Sequence, residues 1–338
     1  MAVIGDVARL AGVSHMTVSR VLNRPETVRP ETRERVHQAI ALLGYRPNAA
    51  ARSLVTRRSR SLGVICLDTI QYSSASILDG IEHAAQDAGY AVSVTSLRQG
   101  TIKSAAQIVD RLAEQLVDGM LVMAPEESTA ASLFRALPAG MPVVAVESAF
   151  AGASSVAVDQ ALGARLVTEH LLSLGHDTVY HVRGPSGWHP TMRRLDGWRS
   201  ALEDRDARVP KPLPGDWTMH GGYLAGQKLA RDPKVTAIFA ANDYMALGVL
   251  RALREAGRRV PDDVSVAGFD DIPEAAYVTP TLTTVAQPFH EVGRRSAQML
   301  IDEIDGRTVA STSTALRPEP VFRQSVAARE VGPAVGSC

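Results

Sequence analysis

The stretch from Val3 to Asn23, VIGDVARLAGVSHMTVSRVLN, decides the fold of the first part of the chain. Its apolar residues recur at helical spacing on either side of a break at Gly12 and Val13. They are Val7, Ala8, Ala11, Val18, Val21 and Leu22. Ser14 stands where a helix N-cap is expected. The stretch therefore predicts a helix, a tight turn and a second helix, although a small surface hairpin of helices fits the same pattern.

The second predicted helix carries a set of side chains that lie off its apolar face. They are His15, Met16, Thr17, Ser19 and Arg20. Such an array can reach base edges and phosphates in the major groove of DNA.

Charge is distributed unevenly along a chain whose formal net charge is zero. Residues 1–60 hold eleven arginines against four acidic residues, a net of +7, so the other 278 residues carry −7. The positive charge therefore lies with the predicted helical hairpin, as phosphate binding requires.

Cysteine content and hydropathy argue against a disulfide-rich protein, a cysteine-ligated metal site and a membrane-spanning protein. Cys66 and Cys338 are the two cysteines, which favours neither a disulfide framework nor a metal-ligand cluster. The sequence holds no run of about 18 apolar residues and no signal peptide. We therefore expect a cytoplasmic protein with no metal.

The residues after the hairpin predict a third helix and then a short hinge. Pro30 suits a first helical position, and the apolar stripe that follows ends at Gly44. Asn48 is a good N-cap for the alanine-rich segment up to Leu54. This segment is either a plain linker or a hinge helix that orders on DNA, with Leu54 entering the minor groove.

From Leu62 onward, short apolar strands alternate with amphipathic helices. The predicted strands are 62–67, 90–95, 119–123, 143–146, 178–182, 236–240 and 265–269. Apolar strands joined by helical crossovers predict parallel sheets covered on both faces. So many units favour two α/β lobes with a cleft between them.

Six ordered motifs together resemble the lac repressor (LacI/GalR) family of transcription factors. They are DVARLAGVS at 6–14, TVSRVLN at 17–23, GYRPN at 44–48, AND at 241–243, GFDD at 268–271 and PTLTTV at 280–285. The resemblance runs from about Ile4 to Ala328. It implies an all-α helix-turn-helix domain followed by an α/β effector domain like the periplasmic binding proteins, with two parallel-sheet subdomains.

The resemblance also implies domain boundaries. We expect a DNA-binding domain at 1–47, a hinge and linker at 48–61 and an effector and dimerisation domain at 62–332. The chain would cross between the subdomains near 171–173, 285–289 and 315–320. One subdomain would then hold 62–171 plus 289–315, and the other 173–286 plus 320–332.

Effector contacts are implied by matching positions in the family pattern. They fall on Asp159, Arg194, Trp217, Asn242, Asp270 and Phe289, with Trp188 and Ser73 as further candidates. Asparagine, aspartate and arginine can exchange several hydrogen bonds with sugar hydroxyls, while aromatic rings offer flat apolar faces.

Each of these residues has a purely structural alternative. Arg194 and Asp270 could form a structural ion pair, Trp217 and Phe289 could be ordinary core aromatics, and Asn242 could cap the next helix. Trp188 either stacks on a ligand or closes a loop.

The sequence therefore predicts a homodimeric repressor. It would bind a near-palindromic DNA operator and release that operator when a small sugar or glycoside binds. His15, Met16 and Arg20 would read bases, and the contacts that position the helix on phosphates would come from Thr17, Ser19, Asn23 and Asn48. The residues after Phe322 show no heptad pattern, so we expect a dimer.

Three alternatives remain open at this point. One is a regulator that uses a phosphometabolite or purine as co-repressor. The second is a sugar-binding protein of a transporter, against which the missing signal peptide and the basic hairpin argue. The third is a sugar-modifying enzyme, but the sequence contains no motif for catalysis or for a cofactor.

Overall fold

The structure is a computed structural model that describes residues 2–45, 58–67, 72–97, 105–307 and 311–329. The chain divides into two compact units, Met1–Ser59 and Arg60–Cys338. Within the described residues, no helix is both long and apolar enough to cross a bilayer.

The first unit contains the predicted helix, turn and helix, followed by the third helix. The helices are α1 (Ile4–Ala11), α2 (His15–Asn23) and α3 (Pro30–Leu43). Gly12 and Gly44 end α1 and α3 in the left-handed conformation, with φ of 65° and 56°. Their apolar stripes meet in one small core of Val7, Ala8, Ala11, Val18, Val21, Val36 and Ala39. The helix-turn-helix prediction is confirmed.

The first lobe of the second unit is built on a six-stranded parallel sheet of order β11-β5-β4-β3-β1-β2. Its strands are β1 (Ser61–Leu67), β2 (Ala91–Leu97), β3 (Gly119–Met123), β4 (Val143–Val146), β5 (Ser154–Val158) and β11 (Ser313–Leu316). The helices of this lobe are α4 (Tyr72–Asp87), α5 (Ala105–Glu114), α6 (Glu127–Ala136) and α11 (Phe289–Ile304). The buried core lies on both faces of the sheet, as expected for parallel strands.

The second lobe has a four-stranded parallel sheet of order β7-β6-β8-β9. Its strands are β6 (Tyr180–Arg183), β7 (Leu213–Pro214), β8 (Ala237–Ala240) and β9 (Ser265–Ala267). The covering helices are α7 (Gln160–Ser173), α8 (His189–Glu203), α9 (Met219–Ala230) and α10 (Asp243–Glu255). A separate antiparallel pair joins β10 (Thr284–Ala286) to β12 (Glu319–Val321).

The first crossing between the lobes comes earlier than the predicted 171–173. Helix α7 buries Val167 and Leu171 against Trp198 and Phe239, which belong to the second lobe. The chain therefore passes between the lobes at Asp159, between β5 and α7. An amphipathic helix offers no sign in its sequence of which of two sheets it covers, so the predicted crossing lies one helix too late.

Candidate DNA interface and effector cleft

The start of α2 is fixed by a capping contact at the turn. Ser14 Oγ accepts a hydrogen bond from the Thr17 amide at 3.2 Å and lies 3.0 Å from Thr17 Oγ1. The absence of a side chain at Gly5 makes room for His15, because a Cβ there would lie 3.2 Å from His15 Nε2. Cap and close approach together hold the first turn of α2 in place.

Helix α2 is anchored on one side and open on the other. Val18 and Val21 are buried in the core, whereas His15, Met16 and Arg20 are exposed and Thr17 and Ser19 are half-buried. Met16 is 65% exposed, which is high for a large apolar side chain. This is the arrangement a groove-reading helix requires.

The other predicted DNA contacts cannot be placed. Asn48 and Leu54, with the hinge helix, lie outside the described residues, and only the backbone of Asn23 is described. Their roles stay predictions.

A cleft, partly open to solvent, lies between the two lobes of the second unit. It is lined from the first lobe by Leu67, Ser73, Ser74, Ile77, Met123, Pro125, Val146, Glu147 and Phe289, and from the second by Trp188, Pro190, Arg194, Trp217, Asn242 and Asp270. Several of these residues end or follow parallel strands, where α/β sheets usually bind ligands. Asp159 is not part of this lining, and its carboxylate caps α7 by accepting from the Leu162 amide at 3.0 Å.

Arg194 is the buried centre of the polar side of the cleft. Its guanidinium donates to Gln160 Oε1 at 2.8 Å and to the Ala241 carbonyl, and it lies 3.4 Å from Asp270 Oδ1. It also lies over the rings of Phe269 and Trp217, 4.0 and 5.5 Å from their centroids. The structural ion pair considered above is present, so Arg194 both neutralises Asp270 and presents its edge to the cleft.

Glu147 is a cleft residue that the sequence analysis missed. Its carboxylate accepts from the Val158 amide at 2.9 Å and from Gln160 Nε2 at 3.0 Å. Burial raises the pKa of Glu147 to about 7, against the lowering effects of these bonds and of Arg194. Its position directly after the apolar strand β4 was the signal that could have identified it.

Two glutamines connect the acids into one network. Gln160 donates to Gln287 Oε1 at 2.7 Å, and Gln287 donates to Asp270 Oδ1 at 2.6 Å. Burial raises the pKa of Asp270 to about 6, while Arg194 lowers it. Glu147 and Asp270 are therefore linked through hydrogen bonds that depend on how each is protonated.

The aromatic side of the cleft is formed by two indoles. Trp188 and Trp217 meet edge to face with centroids 6.0 Å apart. Trp217 Nε1 is buried and has no hydrogen-bond partner among the described residues, so a ligand group that reached it would satisfy this donor. Asn242 caps α10 through the Met245 amide at 2.9 Å and also donates to the Trp217 carbonyl at 3.1 Å, so it positions the indole as well as the helix.

Three lining residues have backbone conformations that L-residues rarely adopt. The φ angles are 55° at Glu147, 70° at Trp217 and 115° at Asp270. Such conformations cost about 1–3 kcal/mol each and cluster at binding sites. Their meeting at one cleft supports a functional site.

Backbone hydrogen bonds join the lobes at one rim of the cleft. The His189 amide donates to the Pro125 carbonyl at 2.7 Å, and the Glu127 amide donates to the Gly187 carbonyl at 3.1 Å. The loop after β3 thereby pairs with the loop after β6, and the lobes are held together on this side.

Comparison with known proteins matches both units. The family model for bacterial regulatory proteins of the lacI family matches residues 3–48, and a periplasmic binding protein-like domain matches residues 168–326. The HTH-type transcriptional regulator CelR of Thermobifida fusca is 35% identical over 337 residues, covering 94% of this chain and 96% of its own length. The transcriptional repressor PurR of Shigella dysenteriae serotype 1 is 35% identical, covering 97% of each chain.

Solved structures agree with these relatives. A lac repressor dimer bound to operator and the anti-inducer ONPF matches with a TM-score of 0.88 at 31% identity, over 97% of this chain and 99% of that one. A complex of the regulator CelR with cellobiose matches with a TM-score of 0.73 at 32% identity, over 96% and 100%. These relatives are regulators, which sets aside the transporter and enzyme interpretations. The chain belongs to the lacI family of bacterial regulatory proteins and is a helix-turn-helix transcriptional regulator.

Proposed function

We propose that this regulator is a cytoplasmic homodimeric repressor whose affinity for a near-palindromic operator is lowered by a small carbohydrate or glycoside. The observation that carries the proposal is the composition of the cleft, which sets two indole rings beside Arg194, Asn242 and Asp270. Ring faces pack on the apolar faces of a sugar, and the forked polar groups exchange hydrogen bonds with its hydroxyls.

The charges of the cleft favour a neutral effector. Arg194 is the one cation among the described lining residues, and it is already engaged by Asp270, Gln160 and the Ala241 carbonyl. Glu147 and Asp270 face the same space. A phosphorylated effector would meet two buried acids and no uncommitted cation, at a substantial desolvation cost.

Cellobiose is the first probe, because a relative covered over nearly its whole length is solved in complex with it. We expect it, or a related glycoside, to change the fluorescence of Trp188 and Trp217 in a saturable way. The matched probes are free purine bases and a sugar phosphate. Saturable binding of those compounds, with none of the neutral sugars, would favour the co-repressor alternative.

On the DNA side, His15, Met16 and Arg20 read bases, while Thr17, Ser19, Asn23 and Asn48 hold the helix on the phosphates. Leu54 of each subunit enters the minor groove at the centre of the operator. The exposure of His15, Met16 and Arg20 on an anchored helix supports this assignment.

Arg20→Ala tests that assignment. We expect weaker operator binding in a gel shift and a loss of discrimination against a mutated operator worth about 1–3 kcal/mol. Arg231→Ala removes the same charge from an exposed site in the second unit and serves as the control. Equal affinity and specificity of Arg20→Ala and wild type would refute the base-reading role.

A further inference from the structure

A cluster of metal-ligand side chains lies on the first lobe, outside the effector cleft. Asp79 and His83 are one turn apart on α4, and His290 lies in the first turn of α11. One ligand atom from each lies within 4.8 Å of the other two. All three residues are exposed, so water and ions have access to them.

The distances within this cluster suit a shared ion better than direct pairing. His83 Nδ1 and His290 Nε2 lie 3.5 and 3.6 Å from the same oxygen, Asp79 Oδ2. These separations exceed those of good hydrogen bonds. Ligand atoms about 2.0–2.1 Å from a tetrahedral ion lie roughly 3.3 Å apart. The two separations between a histidine and Asp79 are close to this value, and all three ligand atoms lie within 4.8 Å of one another.

The two helices hold the cluster on a rigid frame. A Cβ at Gly80 would lie 2.1 Å from the His290 carbonyl oxygen, and one at Gly293 would lie 2.0 Å from the Ile77 carbonyl oxygen. The backbones of α4 and α11 are therefore in direct contact beside the cluster. Ligands on rigid elements are positioned more reproducibly than ligands on loops.

The positive charge of an arginine on α11 beside the cluster is already paired, so it does not oppose the binding of a cation. The nearby Arg294 is held by Glu291, with both of its bonds at 2.7 Å. His83 Nδ1 lies 2.9 Å from the Asp79 carbonyl oxygen, which accepts its hydrogen bond in the tautomer protonated at Nδ1. The imidazole is exposed, and a rotation of its ring turns a nitrogen toward the ion, so ligation exchanges one exposed hydrogen bond for a metal bond.

We propose that Asp79, His83 and His290 form a surface site for a divalent transition-metal ion such as Zn²⁺, with water completing the coordination. Two imidazoles and one carboxylate favour such ions over Mg²⁺ or Ca²⁺, which prefer all-oxygen sites. A bound ion joins α4 to α11. Because Ile77 and Phe289 on these helices line the cleft, the ion also stiffens one wall of it.

The test uses the full-length, tag-free protein after treatment with a chelator. Co²⁺ is titrated by visible absorption, and Zn²⁺ by competition with a chromophoric chelator. We expect one ion per chain with the intense bands of four-coordinate cobalt. His83→Ala and His290→Ala should each weaken binding by about tenfold or more, since even supporting partners of metal ligands contribute 10–100-fold.

His220→Ala, which removes an exposed histidine on α9, should leave the affinity unchanged. Circular dichroism of each variant checks that the fold is retained. Equal affinity of wild type and both cluster variants, or absence of stoichiometric binding, would overturn the proposal. Neither result depends on whether the effector is a sugar.

Discussion

At the residue scale, the main feature of the cleft is that burial raises the pKa of two acids, Glu147 and Asp270, while one arginine, Arg194, lowers the pKa of both. The sequence predicts that Arg194 binds an effector or pairs with Asp270; the structure contains the pair, and effector binding stays a prediction. The family pattern led to seven lining residues, whereas Glu147, Gln160 and Gln287 were missed. Gln160 and Gln287 lie 127 residues apart in the sequence, so no local pattern reports their contact, whereas the position of Glu147 directly after β4 was a local signal.

The raised pKa of Glu147 leads to a pH-dependent stability. The folded chain holds the Glu147 proton up to about pH 7, whereas the unfolded chain loses it near the ordinary glutamate pKa of 4.5, so ionisation opposes folding. The quantity to compare is the free energy of unfolding of Glu147→Gln minus that of wild type. We expect this difference to rise by on the order of 3 kcal/mol as the pH rises from below 4.5 to above 7, because only the wild type loses stability when Glu147 ionises. Urea denaturation across this range measures the difference. A difference independent of pH would contradict the assignment.

The unpartnered indole nitrogen of Trp217 gives a second prediction. Trp217→Phe keeps an aromatic ring but removes the donor, so we expect effector affinity to fall roughly 2- to 10-fold, with a smaller loss of stability than at a fully buried tryptophan because Trp217 is half-buried. Trp198→Phe is the matched comparison, because Trp198 Nε1 donates to the Val179 carbonyl at 2.9 Å in the core. That variant should lose stability instead. Calorimetry with the bound sugar and urea denaturation separate the two effects, and unchanged affinity in Trp217→Phe would count against the donor role.

At the scale of elements, the sequence predicts those features that local interactions determine, such as the ends of helices. Gly12, Ser14, Pro30 and Gly44 fix helix ends through caps and turn conformations, and the structure confirms them. The assignment of α7 to a lobe was not predictable in this way, because it depends on which sheet buries Val167 and Leu171. The contact between α4 and α11 is likewise visible only in three dimensions.

That helix contact can be tested at Gly80. In Gly80→Ala the new methyl group would meet the His290 carbonyl oxygen at 2.1 Å, so the backbones must separate. We expect a loss of about 1–3 kcal/mol or more in the free energy of unfolding. Gly63→Ala is the control, since its methyl group would meet only side-chain atoms at 3.4–3.5 Å. Equal stability of the two variants would mean that the close approach is not required.

At the scale of the whole molecule, the DNA-binding part and the effector cleft belong to different units. The helix-turn-helix lies in the first unit, and the cleft lies in the second. An effector can influence the operator only through its different affinities for two arrangements of the lobes. The rim hydrogen bonds between His189 and Pro125 and between Glu127 and Gly187 show that the two lobes are already in contact on one side.

Operator release by sugar tests the central claim most directly. Full-length protein bound to a fluorescent operator is titrated with cellobiose and a panel of related glycosides, for wild type and Asp270→Asn. We predict that one neutral sugar weakens operator binding of the wild type by roughly 5- to 150-fold, as allosteric couplings of about 1–3 kcal/mol allow. Asp270→Asn should bind the operator normally and respond much less. No release by any sugar, or tighter operator binding with a purine or sugar phosphate, would contradict the account.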